Sequence, residues 1–298
     1  MPIGASLRSL AFALGALVLS ALVFSAPVFS ATPAARCARS ENSIPQRSPQ
    51  AQSASDFIRT ASRLNERERE RVIRSELIAG NIPSFLHKLQ PIALTGQLPD
   101  GGTIRLVLCV MADYLSLGAD DDFLLVPMGL DTALAVGARF GFTLPTRRIV
   151  DLIYRQSNVQ MKPQPLPPGD QMRSSEYYQL HDSLVKEQRA THDSGSRVLI
   201  AGHKKDLILS PRLWSQPGKV AIYGWHRNAD SPIQPLSTVH GATYADYSHG
   251  VRLVSKVAFV NGEPRSIFDL LADPVLAHLI SDEGLLPRAA ESLGAAEN

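Results

Sequence analysis

The stretch "PIALTGQLPDGGTIRLVLCVM", residues 91–111, carries a strong hairpin signal. Two runs rich in apolar and β-branched residues flank the turn sequence Pro-Asp-Gly-Gly, and this arrangement favours two antiparallel strands joined by a short loop. We therefore expect a β-hairpin here, and the rest of the fold is interpreted outward from it.

Helical patterns lie on both sides of the hairpin, whereas the chain from about residue 197 is dominated by apolar, β-branched runs separated by Gly, Pro and Asn. This order predicts an α+β fold with a helical N-terminal half that contains the hairpin and a sheet-rich C-terminal half. We expect a single α+β domain over residues 55–298. The predicted helices cover residues 55–64, 65–80, 130–141, 144–158 and 174–190, and the predicted C-terminal strands lie in "RVLIAG", "KDLILS", "KVAIYGWH" and "HGVRLVSKVAFV".

The composition is that of a globular protein, with 44% hydrophobic and 19% charged residues in 298. The formal net charge is +2, and the sequence contains no long basic or acidic block, so nothing indicates nucleic-acid binding through bulk electrostatics. Residues 65–74, "NERERERVIR", alternate in charge sign, which is typical of a solvated helix face.

Residues 1–34 have the layout of a secretory signal peptide: an early Arg8, an apolar core over residues 10–24, and small residues after it. Residues 35–54 are rich in Ser, Gln, Pro and Arg, and this composition predicts a disordered linker. We therefore expect a secreted or periplasmic protein with no transmembrane segment after signal cleavage.

The sequence contains two cysteines, Cys37 in the predicted linker and Cys109 in the apolar run of the hairpin. A disulfide between them is compatible with an oxidising compartment. The interpretation that we favour from sequence is a buried Cys109 and an exposed, unpaired Cys37.

The stretch "STVHGATYADYSHGVRLV", residues 237–254, is the densest run of reactive side chains in the sequence. Four of the eight histidines lie between residues 203 and 249, each at the end of a predicted strand or in the following loop. Residues in such places can converge on one rim of a rigid sheet, so we expect a polar site here. The candidate catalytic residues are His240 or His249 as general base, Asp246 as the group that orients the imidazole, Ser248 or a water as nucleophile, and Arg252 as the group that stabilises negative charge.

Two other chemistries fit the same region. Imidazole and carboxylate groups are ligands that zinc accepts, so a zinc site is an alternative. Aromatic side chains stack on sugar rings, so binding without catalysis is another alternative. The candidate zinc ligands are His203, His226, His240, Asp246 and His249, and the candidate stacking residues are Tyr223, Trp225, Tyr244 and Tyr247.

The order of His240-Gly241, Ser248-His249-Gly250 and Arg252 resembles the signature of bacterial L,D-transpeptidases. The similarity covers about 13 residues and implies a β-rich secreted fold that acts on peptidoglycan stem peptides. Val251 stands where that family has its nucleophilic cysteine, so thiol chemistry is excluded at this position.

These patterns together predict a secreted hydrolase or transferase that acts on a cell-envelope polymer, either peptidoglycan or a polysaccharide. The alternative is an envelope protein that binds such a polymer without catalysis. A third interpretation is a structural envelope protein whose histidines only satisfy loop hydrogen bonds.

Overall fold

A computed structural model of the chain describes residues 1, 32–39, 44–192 and 198–291. Most of the predicted signal peptide, from residue 2 to residue 31, lies outside the described residues. The described residues from Thr32 onward belong to one compact unit. Among the described residues, none of the helices combines the length and the apolar character that crossing a membrane requires.

Helices and strands both occur throughout the described part of the chain, which confirms the mixed α+β class. The α-helices are α1 (Pro33–Arg39), α2 (Ala54–Ala61), α3 (Glu66–Ile78), α4 (Leu130–Arg139), α5 (Arg147–Gln156), α6 (Ser175–Ala190), α7 (Arg212–Ser215) and α8 (Ile267–Ala272). The strands are β1 (Gln90–Gln97), β2 (Thr103–Val110), β3 (Ser116–Gly118), β4 (Phe123–Leu125), β5 (Phe142–Thr143), β6 (Val159–Gln160), β7 (Ile200–Ala201), β8 (Lys205–Leu207), β9 (Ile222–His226), β10 (Pro232–Ser237), β11 (His249–Gly250), β12 (Val254–Ser255), β13 (Val257–Val260) and β14 (Glu263–Ser266).

The predicted hairpin is confirmed as β1 and β2, which pair antiparallel from Gln90 opposite Val110 to Gln97 opposite Thr103. The turn between them needs Gly101, whose φ of +84° lies in the left-handed region that glycine adopts without strain. The other edge of β2 pairs with β12 and β13, so β2 is central and most of it is buried. The largest sheet therefore joins the N-terminal hairpin to strands from the C-terminal half, in the order β14-β13-β2-β12-β5 with β1 also on β2.

A second sheet, in the order β10-β9-β8-β11, carries the residues of the candidate site. Strand β8 is parallel to β11, with Lys205 opposite His249, and antiparallel to β9, with Asp206 opposite Tyr223. Successive side chains of a strand point to opposite faces of a sheet. Lys205 and Asp206 therefore serve different faces, although they are adjacent in sequence.

The helices before the hairpin begin and end where their capping residues indicate. Asn65 is the N-cap of α3 and forms a capping box with Glu68, because the Asn65 side chain accepts from the Glu68 N–H and the Glu68 carboxylate accepts from the Asn65 N–H. The helix ends before Gly80, which has a φ of +83°. The helices predicted over residues 55–64 and 65–80 are thus confirmed, with slightly shorter bounds.

The interpretation of Cys37 as exposed and unpaired is wrong. Cys37 is buried and forms a disulfide with Cys109, which ties α1 to the central strand β2. The described residues of the segment predicted to be a disordered linker also pack on the fold: Ile44 is buried, and the Arg47 guanidinium donates to the Asn81 side chain at 2.7 Å. The covalent link and these contacts hold a segment whose composition alone favours disorder.

Removing the disulfide by replacing both Cys37 and Cys109 with Ala should lower the free energy of unfolding by about 2–4 kcal/mol, because the bond closes a long loop in the unfolded chain. The loop spans a sequence separation of 72 residues. Urea denaturation of the double variant and of the native protein, each with and without reductant, measures the effect. Reductant should shift only the native protein, and an unshifted native curve would contradict the expectation.

Candidate functional site

The loop between β10 and β11 is organised around the carboxylate of Asp246. Its Oδ1 accepts hydrogen bonds from the backbone N–H of Ser248 at 2.8 Å and from the Ser248 hydroxyl. The backbone carbonyl of Asp246 accepts a hydrogen bond from the N–H of His249 at 3.0 Å. An aspartate that bonds the backbone two residues further along forms an Asx turn. This turn sets His249 at the start of β11, opposite Lys205 of β8.

Five polar side chains surround this turn and are called here the outer cluster: His240, Tyr244, Asp246, His249 and Lys205. The His240 and Tyr244 rings stack with centroids 3.9 Å apart, and the His249 ring centroid lies 6.2 Å from that of His240. The Tyr244 hydroxyl donates to Asp246 Oδ2 at 3.4 Å. The same oxygen lies 3.9 Å from His249 Nε2 and 4.0 Å from Lys205 Nζ. Three of the predicted catalytic residues, His240, Asp246 and His249, are thus brought together.

The members of the outer cluster differ in exposure. His240, Tyr244 and Lys205 are partly exposed, whereas Asp246 and His249 are buried. Neither ring nitrogen of His249 has a hydrogen-bond partner among the described residues. Buried polar atoms without partners are rare in native proteins and are a recognised sign of a functional group. The half-exposed His240 and Tyr244 therefore separate solvent from a buried imidazole and a buried carboxylate.

The burial of the outer cluster controls its protonation. Burial opposes the ionisation of Asp246, but the neighbouring His249 and Lys205 and the hydrogen bonds from Ser248 outweigh it, so the pKa of Asp246 lies below its ordinary value. Burial lowers the pKa of His249 to about 4 despite the nearby carboxylate. Burial also lowers the pKa of His240. At neutral pH the cluster therefore holds one carboxylate and two neutral imidazoles.

Ser248 is not placed as a nucleophile. Its hydroxyl is fully buried and hydrogen-bonded to the Asp246 carboxylate. An activated serine requires hydrogen-bond contact with a general base such as an imidazole, and no such contact of Ser248 lies in the described part of the chain. The geometry shows Ser248 holding the turn through its hydrogen bonds to Asp246.

A second group of ionic side chains is deeper in the molecule and is centred on Asp113. Its carboxylate lies 2.9 Å from Arg189, 3.1 Å from His203 and 4.0 Å from Arg252. Burial opposes the ionisation of Asp113, but Arg189, His203 and Arg252 outweigh it, so the pKa of Asp113 lies well below its ordinary value. This inner cluster comprises Asp113, Tyr114, Arg189, His203, Asp206 and Arg252.

The predicted role of Arg252 in stabilising negative charge on a substrate is wrong for this structure. Arg252 is fully buried, donates to the carbonyls of Met111 at 2.9 Å and Ile200 at 2.5 Å, and lies over the Tyr114 ring. Arg252 follows β11 by two residues, and its side chain lies in the inner cluster instead of the outer cluster. Arg252 therefore stabilises the fold by donating hydrogen bonds to two backbone carbonyl groups.

The five predicted zinc ligands do not form one site. His203 belongs to the inner cluster, and His226 lies elsewhere, with Nε2 at 3.0 Å from the Asp151 carboxylate and its ring stacked on Tyr154. His240, Asp246 and His249 remain together in the outer cluster. Across the described residues, no group of three or more His, Cys, Asp or Glu side chains is arranged to hold a metal ion.

Three of the four predicted stacking residues are buried and unavailable to a sugar. Tyr223 donates its hydroxyl to Asp151 at 2.9 Å, and Trp225 and Tyr247 pack together with ring centroids 6.3 Å apart. The segment between β6 and α6 packs against this pair, and its Leu166 N–H donates to the Tyr247 hydroxyl at 2.8 Å. Tyr244 is the one predicted stacking residue that is partly exposed.

No known protein family matches this sequence, and no curated protein or solved structure matches it either. The resemblance to the L,D-transpeptidase signature stays a prediction. The structure places its two histidines, His240 and His249, in one cluster, with Val251 fully buried at the position of the family's cysteine.

Lys205 and its neighbour Lys204 lie at the candidate site, although neither is among the residues that the sequence predicts for it. Lys204 is fully buried, and its ammonium donates to the Tyr247 carbonyl at 2.6 Å; burial lowers its pKa to about 8. The signal that could have found them is the position of two lysines just before Asp206 and the apolar run "LIL", where a strand core is expected.

Replacing Asp113 with Asn should lower the free energy of unfolding by about 3–5 kcal/mol, because two arginines would remain buried or half-buried without their counter-charge. Asp121→Asn is the matched control, since Asp121 is exposed and loses the same charge. Its effect should stay within about 0.5 kcal/mol. Chemical denaturation of both variants measures the difference, and equal effects would argue against the inner cluster as a stabilising element.

The pH dependence of stability should report the burial of His249. The unfolded chain takes up a proton at His249 near pH 6.5, whereas the folded protein does so only near pH 4, so stability falls as the pH falls through this interval. Asp206 acts in the opposite direction, because burial raises its pKa to about 6. Because His249→Gln and the native protein both contain Asp206, comparing them cancels the contribution of Asp206. The variant should lose less stability between pH 7 and pH 4 in denaturation experiments, and parallel curves would refute the assignment.

Proposed function

We propose that this protein is a secreted, cell-envelope-directed hydrolase or acyl transferase that uses His240 as its general base. The observation that supports this most directly is the position of the partly exposed His240 ring, whose centroid lies 6.2 Å from that of the buried His249, while His249 Nε2 lies 3.9 Å from the buried Asp246 carboxylate. Perturbed titratable groups that meet at an accessible surface are typical of acid–base sites.

The protonation states suit base catalysis. Because burial keeps His240 neutral at neutral pH, its free nitrogen can accept a proton from a water molecule or a substrate hydroxyl. The oxygen of that group attacks a carbonyl carbon, and the carbonyl oxygen takes up the negative charge. The new C–O bond remains when the bond to the leaving group breaks, and His240 returns its proton to the leaving group.

Lys205 is the side chain that we assign to stabilise the developing oxyanion. Its ammonium lies 4.0 Å from Asp246 Oδ2, and it is partly exposed at the same surface as His240. A fixed cation in a partly buried site stabilises negative charge more strongly than it does in water. Asp246 is assigned the role of stabilising the imidazolium that forms at His240 during the reaction.

The carboxylates favour acyl chemistry over glycoside hydrolysis. Glycosidases generally use two carboxyl groups on opposite sides of the scissile bond, separated by about 5–10 Å. Asp246 is the one carboxylate in the outer cluster, and its Oδ1 is held by Ser248. An ester or amide bond in an envelope polymer is therefore the substrate that this arrangement suits better.

Location outside the cytoplasm is part of the proposal. The disulfide between Cys37 and Cys109 supports it, because such bonds persist mainly in oxidising compartments. The signal-peptide pattern of residues 1–34 points in the same direction.

The second candidate function is binding of an envelope polymer without catalysis. It is favoured by the stacked His240–Tyr244 pair, which presents flat rings at the surface while Ser248 and His249 are sealed below. A ring pair of this kind can contact the face of a sugar.

Incubation of the protein with purified peptidoglycan sacculi distinguishes these functions. Release of amino groups or carboxylates indicates acyl cleavage, and release of reducing ends indicates glycoside cleavage. His240→Ala should reduce the initial rate by at least about 100-fold, as expected for loss of a general base. Ser248→Ala should retain the rate within about tenfold, because the hydroxyl only holds the turn.

His192→Ala is the matched control, since His192 is exposed and outside the cluster. The rate of the native protein should decline as the pH falls below the pKa of His240, which lies under 6.5. Equal rates for the His240 and His192 variants would overturn the proposal. If the native protein binds sacculi without releasing any product, and His240→Ala no longer binds them, the binding function would be established instead.

A further inference from the structure

A cavity of about 350 Å³ lies between α3 and the start of α4, beside the loop that carries the outer cluster. This volume is within the range of ligand sites in proteins. One wall is α3, and the other wall is the start of α4 together with the backbone of the loop before Tyr244. The lining residues are Glu66, Arg67, Glu70, Arg71, Arg74, Gly129, Asp131, Thr132, Ala242 and Thr243.

The α3 wall carries a row of guanidinium groups. Arg67, Arg71 and Arg74 are spaced by four and three residues, so they lie on one face of the helix, and all three are exposed. At 1.5 Å per residue, Arg67 and Arg71 are offset by about 6 Å along the helix axis. Neither the Arg67 nor the Arg71 side chain forms a hydrogen bond or ion pair within the described ranges 32–39, 44–192 and 198–291.

Two of the three carboxylates in the lining are already engaged. Glu66 pairs with Arg173 at 3.1 Å. Glu70 accepts the N–H of Gly129 at 2.9 Å and so caps the start of α4, and its burial raises its pKa. Asp131, in the first turn of α4, is exposed and faces the same cavity. The charge that remains available along the α3 wall is therefore positive.

The cavity leads to the outer cluster. Ala242 and Thr243 line it, and the next residue is Tyr244, whose ring stacks on His240. The Ala242 carbonyl accepts the N–H of Leu130 at 2.8 Å, which holds this loop against α4. The Arg173 guanidinium, which binds Glu66 at the cavity, also lies 5.6 Å from the centre of the Tyr244 ring. A chain bound along α3 would thus reach the proposed general base.

We propose that this cavity is the polymer-binding groove of the protein and that it takes an anionic polymer whose oxyanion groups repeat at about 6 Å, one on each of Arg67 and Arg71. This inference rests on the proposed function, because it supplies the substrate class of the same site. Guanidinium groups bind carboxylates and phosphates through paired hydrogen bonds, so both oxyanions fit the row. The alternating charges of residues 65–74 predict a solvated helix face, and the proposal gives the arginines of this face a function in polymer binding.

Fluorescence anisotropy with labelled poly-L-glutamate and labelled linear polyphosphate, at low and moderate salt, tests the groove and identifies the oxyanion. We expect Arg67→Ala and Arg71→Ala each to weaken binding of the preferred polymer about tenfold, which corresponds to one lost charge-assisted contact. Arg67→Lys should keep part of the affinity, because it keeps the charge and loses the paired geometry. Arg63→Ala is the matched control, since Arg63 is exposed and lies outside the lining.

Equal weakening by Arg63→Ala, or no binding of either polymer by the native protein, would overturn the groove. His240→Ala separates this inference from the proposed function, because it should abolish turnover of sacculi and leave polymer binding unchanged. If His240→Ala turns over sacculi normally while polymer binding depends on Arg67 and Arg71, the catalytic proposal alone would be rejected. If His240→Ala loses turnover while polymer binding does not depend on Arg67 and Arg71, only the assignment of the groove would be rejected.

Discussion

The carboxylate of Asp113 joins parts of the chain that are distant in sequence, and the position of the candidate site depends on it. It follows β2 and contacts Arg189 of α6, His203 before β8 and Arg252 after β11. A buried charge without a partner costs several kcal/mol, so the meeting of these side chains stabilises the fold. Their meeting fixes the ends of the two sheets relative to each other. The loop with the outer cluster immediately precedes Arg252 and is therefore held in a defined place.

The alternation of side chains along β8 then divides the polar residues between two environments. Lys205 points toward Asp246 and the partly exposed surface, whereas Asp206 accepts a hydrogen bond from Tyr114 at 2.8 Å in the interior. His249 likewise faces Asp246 in the outer cluster, whereas His203 faces Asp113 in the inner cluster. One group is available for chemistry at the surface, and the other stabilises the fold beneath it.

The sequence predicts a good part of this arrangement where the signals are local. The hairpin, the capping box at Asn65 and the early helices all follow from residues within a few positions of one another. Residues 237–254, where polar side chains are concentrated, include His240, Asp246 and His249, which the structure brings close together. The assumption that every strand-end histidine faces one rim fails, because a shift of one residue along a strand reverses the side chain's direction.

What the sequence by itself determined is the set of elements and the loop in which reactive groups collect, because turns, caps and apolar periodicity act over a few residues. Only the tertiary structure decided which of those groups share a surface. Arg252 became a buried structural cation, Ser248 became a turn residue, and Cys37 crossed the fold to meet Cys109. Each outcome depends on burial and on partners far along the chain, and the cost of leaving a buried charge or polar atom unpaired selects among the arrangements that local sequence allows.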